Sequence, residues 1–91
     1  MSTKEKIQES VQTQTKDSYQ HEIVLHNDDV NTFDHVIDCL VAICNHTAIQ
    51  AEQCATLVHY KGKCGVKSGS YKDLEPMCSQ LLDLDLSAEL I

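Results

Sequence analysis

The chain has 91 residues, 42% of them apolar, yet only one Phe, three Tyr and no Trp, so it can build one small domain with a core of Leu, Ile, Val and Cys. A formal charge of −7 argues against a phosphate-backbone binder. No run approaches the ~20 apolar residues of a membrane span, so neither nucleic acid nor a membrane is an expected partner.

The charge is uneven. Lys4, Lys6 and Lys16 cancel Glu5, Glu9 and Asp17, so the whole −7 falls within residues 20–91. The lysines there, Lys61, Lys63, Lys67 and Lys72, form one short basic strip on an acidic body. The cysteines Cys39, Cys44, Cys54, Cys64 and Cys78 are odd in number and make no C-x-x-C pair. With no apolar leader at the start, they read as reduced thiols of a cytoplasmic protein. No Cys/His spacing marks a metal site, and no cofactor is expected.

Residues 1–19, rich in Gln, Ser, Thr and Lys, are too polar to bury a core and are expected to be a flexible extension ahead of a domain at 20–91. His21–His26 alternates as a strand, with Ile23 and Leu25 on one face and Val24 on the other. The polar loop Asn27–Asn31 ends it. Asn31 or Thr32 is the expected N-cap, with Asp34 three positions after Asn31. Phe33, Val36, Ile37, Leu40, Val41 and Cys44 then recur at helical spacing, giving an amphipathic helix over 33–45.

Thr47-Ala-Ile-Gln50 is a capping box that opens a second helix. Its inner face is Ala51, Cys54, Ala55 and Val58, and Gly62 stops it. Lys63–Ser68 reads as a second strand, broken by Gly69-Ser70. In the third helix Pro76 must sit in the first turn, which points to Asp73 as N-cap. Leu74, Met77, Cys78, Leu81 and Leu82 would line one side. Leu86–Ile91 makes a last strand. The expected fold is α+β, a β-α-α-β-α-β sandwich of a three-stranded sheet against three helices.

Two stretches stand out: "LHNDDVNTFDHVIDCL" and, later, "AEQCATLVHYKGKC". The first packs Asn27, Asp28, Asp29 and Asn31 into five positions at the mouth of a helix. Taken alone, that loop is an Asx turn and a helix cap, or else a holder for a positively charged group. Together the stretches resemble the ClpS family, small adaptors of the bacterial Clp protease. The resemblance rests on Asn27-Asp28-Asp29 before an apolar helix carrying Val36-Ile37, and on Val58-His59 followed by Gly62. It covers roughly residues 20–91.

The resemblance implies a non-catalytic adaptor that binds proteins by an unblocked N-terminal Leu, Phe, Tyr or Trp. It would deliver them to the N-terminal domain of a Clp AAA+ unfoldase of the ClpA or ClpC type. Asn27, Asp28 and His59 would hold the α-amino group, with Asp29, Asn31 and Thr32 in the adjoining acidic loop and cap. Phe33, Val36, Ala55 and Val58 would form the pocket for the first side chain. The chemistry suits these roles. An α-amine with a pKa near 7.7–8.0 is mostly an ammonium at neutral pH, all donor and no acceptor, and needs acceptors, preferably charged.

The chain departs from the family in two places. Asn31-Thr32-Phe33 stands where Thr-Pro-Met is common, and Ala55 stands where many members have Met. Phe33 fills space and Ala55 opens it, so β-branched first residues are expected to be rejected less strictly. The alternative reading is a docking module of the same fold without N-terminal recognition, such as the ribosomal stalk protein's C-terminal domain. The related recognition domain of eukaryotic ubiquitin ligases sits in far longer chains, whereas a 91-residue chain with its own Met suits a stand-alone adaptor. An enzyme would need an activated nucleophile; Cys54 and His59 sit in no such motif.

Overall fold

The computed structural model describes residues 20–91; the expected extension at 1–19 lies outside the described residues. Six elements follow in the expected α+β order: β1 (His21–His26), α1 (Phe33–Cys44), α2 (Ala48–Lys61), β2 (Lys63–Gly69), α3 (Tyr71–Asp83) and β3 (Ser87–Leu90). β1 is the central strand, antiparallel to β2 on one side and to β3 on the other. In that register His26 faces both Lys63 and Ser87. The end of β1, the start of β2 and the start of β3 therefore meet at one edge of the sheet, along with the turns that lead into them.

Ile23 and Leu25 of β1 pack with Leu40, Cys44, Val58, Leu74 and Leu81 of the helices in one buried cluster, while Val24 is buried outside it. This is the alternation of a strand with one face on the core. Between Ile23 and Val24 the partner in β2 jumps from Lys67 to Gly65, leaving Val66 as the extra residue of a β-bulge. Lys67 then reaches α1, donating from Nζ to the Cys44 carbonyl (3.4 Å) at the helix C-terminus. That contact draws Lys67 out of the basic strip.

All five cysteines are free thiols. Burial pushes the Cys44 thiol up to about 11, so it packs as a small apolar side chain.

Each helix is set by its caps. The α2 capping box is complete: the Thr47 hydroxyl accepts from Gln50 N (3.1 Å) and the Gln50 side chain from Thr47 N (2.9 Å). Gly62 closes α2 at φ 93°, a conformation glycine adopts without a Cβ penalty. At α1 the cap is Thr32, whose Oγ1 accepts from His35 N (3.1 Å), and not Asn31. The Asn31 side chain is engaged elsewhere, as described below. The helix ends at Cys44, with Asn45 left-handed at φ 58°.

The third helix differs from expectation at its start. Ser70, not Asp73, is its N-cap, with Oγ accepting from Asp73 N (3.2 Å), so Pro76 lies inside the helix. Pro76 cannot donate its backbone hydrogen bond there, while Leu74, Cys78 and Leu81 of the same helix are buried in the core. Leu81 is buried and Leu82 is half exposed. Successive helical residues are 100° apart, so one of the pair turns outward.

Candidate functional site

The loop after β1 is fixed by its own side chains. The Asn27 backbone N–H donates to the Gly62 carbonyl (2.9 Å), tying the loop to the end of α2. Asp28 Oδ1 accepts from the backbone N–H groups of Val30 and Asn31, both at 2.9 Å, an Asx turn. Asp28 Oδ2 accepts from Asn31 Nδ2 (2.9 Å) and from the Ser87 hydroxyl (3.1 Å). Asn31 Nδ2 also donates to the Asp85 carbonyl (2.8 Å).

The Asn31 backbone N–H is foremost in holding the Asp28 carboxyl below its ordinary range. The Asn31 amide, Val30 N–H and Ser87 hydroxyl add to it, against partial desolvation. The carboxylate is therefore ionised at neutral pH. Among the described residues the chain offers the side chains of Asn27, Asp29 and His59 no hydrogen bond of its own.

Across from this loop stands the last turn of α2. His59 is exposed there, its ring edge-on to Tyr60 with centroids 4.8 Å apart and planes at 85°. Between loop and helix lies a cleft of about 680 Å³. Asn27, Asp28, Asp29, Asn31 and His59 supply the polar part of its lining, and Phe33, Val36, Ala55 and Val58 the apolar part. Thr32 is the one sequence-expected residue that does not face it; its hydroxyl is spent on the α1 cap. A smaller void of about 20 Å³, room for about one water, lies behind the loop between Asn27, Asp28, Val36, Val58 and Leu86.

The helices set the apolar wall. Phe33 is the first residue of α1 and 42% exposed, and Val36 follows one turn later, half buried. Ala55 and Val58 lie one turn apart on α2 at 1% and 5% exposure, so they form the floor, not the rim.

Sequence reasoning missed Tyr60 and Thr56, which also line the cleft. Tyr60 follows the histidine directly and is 77% exposed, a signal available in the V-H-Y triplet. Nothing in the sequence pointed to Ser87 or to the Asp85 carbonyl, which reach the loop only through the pairing of β3 with β1.

Chemically, the cleft offers a cation acceptors and negative charge, with apolar surface in the same lining. Among the described residues no group of three His, Cys, Asp or Glu is placed to hold a metal ion, and no helix is long and apolar enough to cross a membrane.

Residues 15–89 match the family model described as "ATP-dependent Clp protease adaptor protein ClpS". An ATP-dependent Clp protease adapter protein ClpS from Thermosynechococcus vestitus is 36% identical over 81 residues, covering 88% of this chain and 86% of the relative. The Shewanella piezotolerans protein of the same description is 33% identical over 64 residues, 68% of this chain and 63% of the relative. Among solved structures, Agrobacterium tumefaciens ClpS2 bound to L-phenylalaninamide shares the fold, with a TM-score of 0.75 at 18% identity over 79% of this chain and 94% of that one. On the match over most of its length, the chain belongs to the ClpS family of Clp protease adaptors.

Proposed function

We propose that the cleft binds the first residue of proteins with an unblocked α-amino group and a bulky hydrophobic side chain, Leu, Phe, Tyr or Trp. The domain then hands them to the N-terminal domain of a ClpA- or ClpC-type AAA+ unfoldase in the cytoplasm. It acts by binding alone.

The observation that carries this reading is one cleft with two unlike kinds of lining. Asn27, Asp28 and His59 share it with the apolar Phe33, Val36, Ala55 and Val58. Asn27 Oδ1 and a ring nitrogen of His59 accept from the ammonium. Asp28 brings its charge beside them while its oxygens hold the loop. Asp29, exposed in the same cleft, adds a second carboxylate.

An acetylated or internal residue lacks the charge and presents a carbonyl to acceptors. The unpaired groups then cost roughly 1–3 kcal/mol each. Burying a Leu or Phe side chain contributes about 1.5–3 kcal/mol. Neither part alone suffices, so affinity depends on both. The Agrobacterium ClpS2 ligand, L-phenylalaninamide, combines a free α-amine with a benzyl side chain, which is the chemistry this lining suits.

The test is binding of a Leu-first peptide against its N-acetylated twin. The free peptide should bind with micromolar-order strength, and acetylation should weaken it by about a hundredfold or more, as loss of two charge-assisted bonds requires. Asp28→Ala should remove most of the difference. Equal binding of the twins would overturn the reading in favour of a docking module blind to N-termini.

A further inference from the structure

We propose that Ser87 and Asn31 are positioning residues of the amine site, the donors through which β3 and the turn before it hold the Asp28 carboxylate beside Asn27. The inference rests on the amine-binding reading above and extends the site to the far end of the chain.

The loop is pinned from two sides. On one side the Asn27 N–H to Gly62 carbonyl bond (2.9 Å) ties it to the helix end that carries His59. On the other, Asp28 Oδ2 takes the Ser87 hydroxyl (3.1 Å), a contact spanning 59 positions of sequence. Asn31 Nδ2 bridges Asp28 Oδ2 (2.9 Å) and the Asp85 carbonyl (2.8 Å), spending both of its N–H donors.

The bonds at Asp28 Oδ1 are local, to Val30 and Asn31, and shape the turn without fixing it to the sheet. Among the described residues, only Asn31 and Ser87 do that from the Asp28 side. The Asp85 backbone is left-handed at φ 69°, a conformation uncommon outside glycine, in the residue whose carbonyl takes the Asn31 amide. Asp tolerates it better than most residues, so the turn is built at modest cost.

A carboxylate held by donors from two elements keeps its charge at one place before the ligand arrives, so less freedom is lost on binding. Losing the Ser87 hydroxyl leaves Asp28 its local bonds and Asn31 its bond to Asp85, but frees the carboxylate from its direct tie to β3. That should weaken recognition of the amine specifically. The apolar hollow, built from α1 and α2, should be untouched.

Two ligands separate these parts: L-phenylalaninamide and hydrocinnamamide, the same skeleton without the α-amine. Titration of both into the wild type, Ser87→Ala and Ser87→Thr, followed by NMR so that millimolar binding is readable, tests the proposal. Ser87→Ala should weaken L-phenylalaninamide about three- to tenfold, as expected for one hydrogen bond, and leave hydrocinnamamide within about a factor of two. Ser87→Thr, which keeps the hydroxyl, should restore most of the loss. Asn31→Ala should give the same amine-specific loss, larger because two bonds go.

Equal weakening of both ligands would show that Ser87 only supports the fold, and no weakening of either would show that it does nothing for the site. Both results overturn the proposal. A wild type that fails to prefer the amine-bearing ligand would overturn the amine-binding reading itself, and this inference with it.

Discussion

Asp28 accepts four hydrogen bonds while facing a cleft, and this gives its ionisation a signature. Its pKa is lowered in the folded chain, with the Asn31 backbone N–H as the largest cause. A carboxyl lowered on folding adds stability that is present above its unfolded pKa, ~3.9, and is lost as pH falls through the lower folded value. Asp28→Asn should therefore destabilise more at pH 7 than at pH 2. Thermal unfolding of both proteins across that range reads it, and a gap that stays constant would contradict it. A second residue-level prediction concerns the floor. Ala55→Met should cut binding of an Ile-first peptide more than that of a Leu-first one, because the added side chain fills the space at a β-branched carbon. An unchanged Ile-to-Leu ratio would remove Ala55 from specificity. That Asn27, Asp28 and His59 share one cleft could be expected from sequence because they stand in two short motifs at fixed spacing. Ser87 could not, since a lone Ser at the start of a strand carries no sign of what lies across the sheet.

At the scale of elements, the cleft depends on where α2 stops. Gly62 sets that end at φ 93°, and its carbonyl holds Asn27. A Cβ there would meet nothing within 4 Å, so the penalty for Gly62→Ala is conformational, about 1–2 kcal/mol. For a domain of this size the melting temperature should fall by about 4–8 °C per kcal/mol, with weaker peptide binding alongside. An unchanged melting temperature would mean that the turn is not strained by a side chain. The α2 capping box and the Gly62 stop were readable because each is a local rule, satisfied within a few residues. The start of α3 was not. Both Ser70 and Asp73 are good caps, and placing Pro76 in the first turn favoured the wrong one. The structure takes Ser70, whose hydroxyl accepts from Asp73 N, and carries Pro76 inside the helix. At α1, where Asn31 or Thr32 was the expected cap, Thr32 takes the role, and the Asn31 amide donates to Asp28 and the Asp85 carbonyl.

For the whole molecule, sheet pairing turns a linear motif into a site. Because His26 faces Lys63 and Ser87 at once, the acidic loop, the α2 terminus and the β3 turn converge at one edge. The order of elements was readable from periodicity, but this convergence depended on strand order, which was not. The charge plan adds a prediction for delivery. Removing residues 1–19, which carry no net charge, should leave peptide affinity unchanged and abolish handover to the unfoldase. Lys63→Glu should weaken unfoldase docking without touching the peptide, whereas Lys67, bound to Cys44, should matter less. Peptide titration and a degradation assay with the same variants separate these effects, and loss of peptide binding on truncation would contradict the division.

The most direct test of the central claim is to map where a free N-terminus lands. Backbone and side-chain NMR shifts should be followed while L-phenylalaninamide is added. Changes should concentrate at Asn27–Asn31, at Phe33 and Val36, and at the Ala55–Tyr60 turn. Shifts gathered instead around Val24 and Gly65, or no saturable shifts at all, would contradict it.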